Sequence, residues 1–179
     1  MLGWVALLWL LEVVDVISGH ALDGLGITPR EPSELIDIVP AAFLHFGFAH
    51  VAANSVPLLV LGFLAALGGL RRFALVCAVI IVADGLGVWL ISPAHSNTAG
   101  ASGLIFGLFG FLLVTGFVER RPLGILVGLL IAAVWGGSIL AGLAPTQTSV
   151  SWQGHLIGLV SGVVAAYLFR RPAIPARGV

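Results

Sequence analysis

The sequence is poor in charge and contains almost no cysteine. Only 9% of its 179 residues are charged, against about 25% in a typical soluble domain. This shortage excludes an ordinary soluble fold. The single cysteine, Cys77, rules out an internal disulfide.

Motifs for several kinds of chemistry are also missing. The five histidines are scattered, and neither an H-E-x-x-H nor a C-x-x-C motif occurs. We find no G-x-G-x-x-G motif, no Walker motif and no basic stripe of the kind that binds nucleic acid. We therefore expect no cofactor, no metal and no nucleic-acid partner.

Apolar residues dominate the chain instead. They make up 59% of it, and the mean hydropathy is +1.13. Six apolar stretches approach or exceed the length that crosses a bilayer, which predicts an all-α membrane protein with six transmembrane helices. We place them at residues 2–17, 46–67, 73–91, 102–118, 122–143 and 152–169. Residues 1–179 then form a single membrane domain with a long first external loop.

The first apolar stretch resembles a signal peptide only in its position. It has no basic residues before it and no evident cleavage site of small residues, and Glu12 and Asp15 interrupt it. We interpret it as a helix.

Arginine placement predicts the orientation in the membrane. No lysine occurs, and seven of the eight arginines follow the second, fourth or sixth apolar stretch. They are Arg71, Arg72, Arg120, Arg121, Arg170, Arg171 and Arg177. Because basic residues are retained on the cytoplasmic side, both termini should be cytoplasmic in the cell membrane. Only Arg30 falls in the first loop, on the external side.

Three polar residues share one predicted depth. His50, Ser102 and His155 each stand near the external start of an apolar stretch. The helix from Ser102 to Val118 would be about 25 Å long, and the hydrocarbon core of a bilayer is about 30 Å thick. If the arginines after Val118 mark the inner interface, Ser102 therefore lies a few ångströms below the outer interface. Polar groups in hydrocarbon are costly and are often functional, so this level is the candidate site.

Residue chemistry suggests a role for each group. Ser102 at a helix start would be a nucleophile, with the helix dipole favouring a developing oxyanion. His155 would be its general base. His50 and Asn54, four residues apart on one helix face, can both donate hydrogen bonds to that oxyanion.

Small residues could bring the two catalytic helices together. Gly103, Gly107 and Gly110 share one face of the fourth stretch, and Gly158 and Gly162 share one face of the sixth. Glycine lets membrane helices approach closely. The spacing permits contact between Ser102 and His155 without requiring it.

Each of these residues also has a structural interpretation. A serine or histidine in a helical bundle commonly bonds to the preceding turn or packs helices together. We interpret His45 as a structural residue that ties down the first loop. Asp84, in the middle of the third stretch, has either a helix-pairing or a proton-linked role.

Three motifs together resemble the rhomboid family of intramembrane serine proteases. They occur in the family's order and spacing, and shorter similarities precede them in the first loop. The motifs are G-A-S-G-L-I-F-G at residues 100–107, H-V-A-A-N at 50–54 and G-H-L-I-G at 154–158, preceded by G-I-T-P-R at 26–30 and F-L-H-F at 43–46. The resemblance implies a six-helix core that hydrolyses peptide bonds in or beside a substrate's transmembrane helix.

The same resemblance implies a role for each matching position. The family's nucleophile falls on Ser102 and its base on His155, a dyad with no third acid. Its oxyanion site falls on His50, Asn54 and the Ser102 backbone. The positions that pack the active site fall on Gly100, Phe106, Gly158 and Gly162.

The chain departs from the family pattern at two places. Ile36 and Asp37 replace a Trp-Arg pair that many bacterial members carry in the first loop. Phe106 stands where tyrosine is common, so stacking under His155 should persist without a hydroxyl.

Two other functions remain as alternatives. One is a rhomboid-like pseudoprotease that binds membrane helices without cutting them, and the other is a small proton-linked transporter. The intact Ser102 and His155 favour the protease, whose partners would be membrane-protein substrates and the lipid bilayer. The natural substrate and the oligomeric state do not follow from the sequence.

Overall fold

A computed structural model describes residues 1–145 and 151–171. The described part is helical, with six long helices and one short one. They are α1 (Leu2–Ile17), α2 (Ile38–Ala41), α3 (Phe48–Ala66), α4 (Leu70–Ile91), α5 (Ser102–Val118), α6 (Pro122–Gly142) and α7 (Trp152–Leu168). The six long helices differ from the predicted apolar spans by at most three residues at either end. Arg177, counted among the cytoplasmic arginines, lies outside the described residues.

Length and hydropathy support a membrane protein. Among the described residues, α3, α4 and α6 are long and apolar enough to cross a membrane, and α5 and α7 are shorter apolar helices of 17 residues each. α1 buries the charged residues Glu12 and Asp15. The all-helical architecture is therefore established, whereas the number of six transmembrane helices remains a prediction.

The core of the bundle is α5. It packs most extensively against α7, then against α6 and α3. A side chain at Gly158 would collide with the Gly103 carbonyl, and one at Gly162 with the Gly107 carbonyl. The absence of side chains at these positions brings the backbones of α5 and α7 into contact, and the beginning of α7 lies beside that of α5.

The segment between α1 and α3 is folded against the rest of the bundle. Two 3-10 turns, Ala21–Leu25 and Pro32–Asp37, precede the short helix α2. An isolated antiparallel bridge joins Ile27 to Thr98, in the segment that leads to Ser102. The guanidinium of Arg30 donates to the Leu90 and Ser92 carbonyls at the end of α4. These bonds hold the first loop against the chain that precedes α5.

An ion cluster closes the opposite end of the bundle. The buried carboxylate of Glu119 contacts the guanidinium groups of Arg72 and Arg121 and accepts a hydrogen bond from the Arg171 backbone. The Arg72 guanidinium also lies over the Phe111 ring, 5.0 Å from its centroid. These contacts place the start of α4, the end of α5 and the end of α7 at one level.

Candidate active site

Ser102 is the first residue of α5. The first N–H groups of a helix have no intrahelical acceptor, so they are available to an anion at this point. Just before it, Gly100 adopts a φ of +139°, a conformation that side chains rarely allow. The Gly100 N–H donates to the Ala41 carbonyl at 2.8 Å, which attaches the loop before α5 to helix α2.

His45 fixes the residue next to Ser102. The Ala101 N–H donates to His45 Nε2 at 3.3 Å, so this nitrogen must be unprotonated. The His45 side chain is buried, and burial together with the neighbouring His50 lowers the pKa of His45 to about 4. A neutral His45 therefore connects the first loop to the start of α5.

His155 is held in one orientation by two contacts. Its Nδ1 lies 2.9 Å from the Gly142 carbonyl oxygen, and its ring stacks on Phe106 with centroids 4.0 Å apart and planes 13° from parallel. Because a carbonyl oxygen only accepts, Nδ1 carries the proton and Nε2 is left with a free lone pair. This is the tautomer that a general base requires.

One open cavity collects the polar residues of the site. Ser102 and His155 line it, together with His50, Asn54 and Phe106. Ser102 and His155, which both belong to the described part of the chain, form no hydrogen bond with each other in this structure. Catalytic hydrogen bonds are often long before substrate binds and shorten in the reacting complex.

His50 and Asn54 enter this cavity from α3. The imidazole of His50 packs edge-on against His45, with centroids 4.8 Å apart. It also occupies the space that a side chain at Gly100 would need. Asn54 is 6% exposed, and its Nδ2 has no hydrogen-bond partner among the described residues. An unpartnered buried donor in a cavity wall is available to a bound group.

Asp84 approaches the site from α4. Its carboxylate fills the space beside Gly103 and lies close to Gly154, at the junction of α5 and α7. A second cavity of about 30 Å³ lies here, lined by Asp84, Ser102 and His155 among others. The structure thus places Asp84 in a helix-packing position behind the two candidate catalytic residues.

Two positioning groups were not recognised from the sequence. The Gly142 carbonyl that orients His155 is a backbone group and leaves no signal in residue identity. His45 was interpreted only as a residue that ties down the first loop, whereas its partner is the Ala101 N–H, 56 positions away.

A family model and several relatives match this chain. The sequence model of the Rhomboid domain matches residues 32–172. An uncharacterised protein of Mycobacterium tuberculosis is 46% identical over 187 residues, covering 100% of this chain and 78% of the relative. Another, from Mycobacterium leprae, is 43% identical and covers 100% of this chain and 74% of the relative.

A more distant relative has a functional name. Rhomboid protease GluP of Bacillus subtilis is 31% identical over 136 residues, which cover 75% of this chain and 26% of that protein. The family match covers well over half of the chain, and the name of the Bacillus subtilis relative agrees with it. The chain therefore belongs to the rhomboid family.

Proposed function

We propose that this protein is an intramembrane serine endopeptidase with Ser102 as nucleophile and His155 as general base. The observation that carries the proposal is the orientation of His155. Nδ1 is bound to the Gly142 carbonyl, and the ring lies on Phe106 beside the cavity that also contains Ser102. The unprotonated Nε2 is then the nitrogen available to the serine hydroxyl. The name of the Bacillus subtilis relative supports the same class of reaction.

The chemistry proceeds in two halves. Ser102 Oγ attacks the substrate carbonyl carbon while His155 Nε2 takes the hydroxyl proton, and the imidazolium that forms keeps its bond to the Gly142 carbonyl. Collapse of the tetrahedral intermediate breaks the C–N bond, and His155 returns the proton to the departing amine. Water then attacks the acyl-enzyme, with His155 again accepting and returning one proton. This frees Ser102 and releases the new carboxyl end.

The oxyanion in both halves would be stabilised by donors already aimed at the cavity. Asn54 supplies its free Nδ2–H, His50 an imidazole N–H and Ser102 its backbone N–H at the start of α5. Such donors act strongly because they are fixed before charge develops. Gly100, Gly158 and Gly162 support this arrangement through close backbone packing.

Substrates of this enzyme would be membrane proteins with a transmembrane helix. The chain would form one rhomboid-type domain of six transmembrane helices in the cell membrane, with cytoplasmic termini and an externally facing site. At that depth the scissile bond would lie near the external end of the substrate helix. Small or helix-breaking residues lower the cost of exposing it, since glycine disfavours a helix by about 1 kcal/mol relative to alanine.

Reactivity of Ser102 tests the proposal. A fluorophosphonate probe should label the purified protein and fail to label Ser102→Ala, while Ser161→Ala serves as a matched control. Ser161 is a serine on α7, but it is buried and donates to the Ile157 carbonyl within that helix. Ser102→Ala and His155→Ala should both abolish cleavage of a model transmembrane substrate. Equal labelling of wild type and Ser102→Ala would overturn the assignment, and an unreactive wild type would favour the pseudoprotease.

A further inference from the structure

A cluster of acidic groups and one histidine lies away from the catalytic cavity, where α1 ends. Asp15, His20 and Asp23 each offer one possible ligand atom, and the three atoms lie within 4.8 Å of one another. His20 Nδ1 lies 2.8 Å from Asp15 Oδ2 and 3.8 Å from Asp23 Oδ2. We infer that these residues form a binding site for a divalent cation of the zinc type.

The local fold explains how these residues meet. α1 ends at Ile17, and the chain reverses through Gly19 and His20, which have φ values of +71° and +66°. The following 3-10 turn lies back over the end of the helix. Asp15 Oδ1 accepts the Leu22 N–H at 2.7 Å, which leaves Oδ2 directed at the histidine.

A second observation, independent of the cluster geometry, points to a bound ion. Glu12 precedes Asp15 by about one turn, and both residues are buried on α1. Its side chain is 1% exposed, yet among the described residues neither carboxylate oxygen has a hydrogen-bond partner. A buried carboxylate without a partner is costly, and a cation with its bound water would satisfy it.

The charge balance at this point favours a cation. Two carboxylates, those of Asp15 and Asp23, face the single imidazole of His20, and the buried Glu12 lies about one turn before Asp15 on α1. A divalent ion would neutralise this excess of negative charge.

The donor set indicates which class of cation fits. One imidazole nitrogen with carboxylate oxygens suits Zn²⁺, which takes four ligands, whereas Ca²⁺ and Mg²⁺ prefer oxygen alone. Asp15, His20 and Asp23 supply three ligands, and a water held by Glu12 would supply the fourth. His20 is 58% exposed, so the ion can enter from outside the bundle.

Binding is measured directly, so the test does not depend on proteolysis. The full chain, without a histidine tag and treated with EDTA, is titrated with ZnCl2 in detergent by calorimetry. Wild type should bind one equivalent. His20→Asn and Asp23→Asn, which alter partly exposed side chains and so spare the fold, should each weaken binding at least about tenfold.

Two control variants match these changes. His95→Asn and Glu31→Gln remove an exposed histidine and an exposed carboxylate outside the cluster, so each should bind Zn²⁺ as wild type does. Glu12→Gln should weaken binding, with circular dichroism confirming the fold. The proposal is overturned if wild type shows no saturable binding. It is equally overturned if His20→Asn and Asp23→Asn bind as wild type, which would assign the ion to another site, such as the paired His45 and His50.

Discussion

The Ala101 N–H donates a hydrogen bond to His45 Nε2 at 3.3 Å, directly before Ser102. His45 belongs to the segment that leads into α3, and Ala101 is the residue that caps α5. This bond couples the conformation of the first loop to the position of the proposed nucleophile. Only a neutral imidazole can accept it, so the coupling depends on pH.

We expect acid to weaken the fold through His45. Its folded pKa is about 4 against an ordinary value of 6.5, so the unfolded state binds more protons between these values. The free energy of unfolding must therefore fall as the pH falls from 6.5 towards 4, by up to about 1.4 kcal/mol per pH unit. Thermal unfolding of the detergent-solubilised protein across this range measures it.

His45→Gln isolates this contribution, because glutamine can accept the Ala101 N–H without titrating in this range. The loss of stability between pH 6.5 and 4 should be smaller in His45→Gln than in wild type. Identical pH profiles would show that His45 does not carry the effect.

Gly100→Ala should damage the site through two causes. The φ of +139° becomes strained, at a cost of about 1–3 kcal/mol, and the new methyl group would press on the His50 imidazole, with its Cβ 3.0 Å from Nε2. Proteolysis should fall and the midpoint of thermal unfolding should drop. Gly24→Ala is the control, since it is exposed and a Cβ there meets nothing within 4 Å. Equal behaviour of the two variants would contradict this reading of the loop.

Asn54→Ala should slow catalysis with little effect on substrate affinity. Removing one oxyanion donor typically costs about 10²- to 10³-fold in turnover. Within the described part of the chain, Asn54 Nδ2 has no hydrogen bond that the substitution would remove. Cleavage rates at saturating substrate measure the effect. Ser55→Ala, on the adjacent residue whose hydroxyl donates to the Val51 carbonyl, is the control. Normal turnover in Asn54→Ala would return this residue to a packing role.

Phe106→Ala should lower turnover by releasing the His155 ring. Aromatic stacking contributes about 0.5–1.5 kcal/mol beyond buried area, so a loss of up to about tenfold is expected from orientation alone. Phe106→Tyr keeps the ring and should stay near wild type. Phe117→Ala, on an exposed position of the same helix, controls for general loss of apolar surface. If Phe106→Ala cleaved at the wild-type rate, stacking would have no part in orienting the base.

Membrane orientation can be tested apart from the chemistry. In a Cys77→Ala background, Ser96→Cys should react with an impermeant thiol reagent added outside intact cells, and Arg71→Cys should react only after lysis. Ser96 lies in the segment before α5, and Arg71 is exposed near the start of α4 at the other end of the bundle. The reverse labelling pattern would place the candidate site on the cytoplasmic side.

The sequence by itself determined the helices and the main candidate residues. Runs of apolar residues, and the glycine, proline and arginine residues that interrupt them, mark where each helix begins and ends. Both features can be recognised from neighbouring residues alone. The glycine spacing on α5 and α7 is likewise readable, since residues that share a helix face recur at fixed intervals. Ser102, His155, His50 and Asn54 could be named because a polar side chain in an apolar run is conspicuous.

Only the tertiary structure decided how these residues are held. The carbonyl that selects the His155 tautomer belongs to the backbone of Gly142. Because every residue has a backbone carbonyl, residue type does not predict this contact. The bond from Ala101 to His45 joins positions 56 apart, and its formation depends on how the first loop packs. Asp15, His20 and Asp23 follow no regular period, and they meet because the chain reverses at two residues with positive φ. Contacts of this kind arise from the path of the backbone, which local patterns of residue type do not encode.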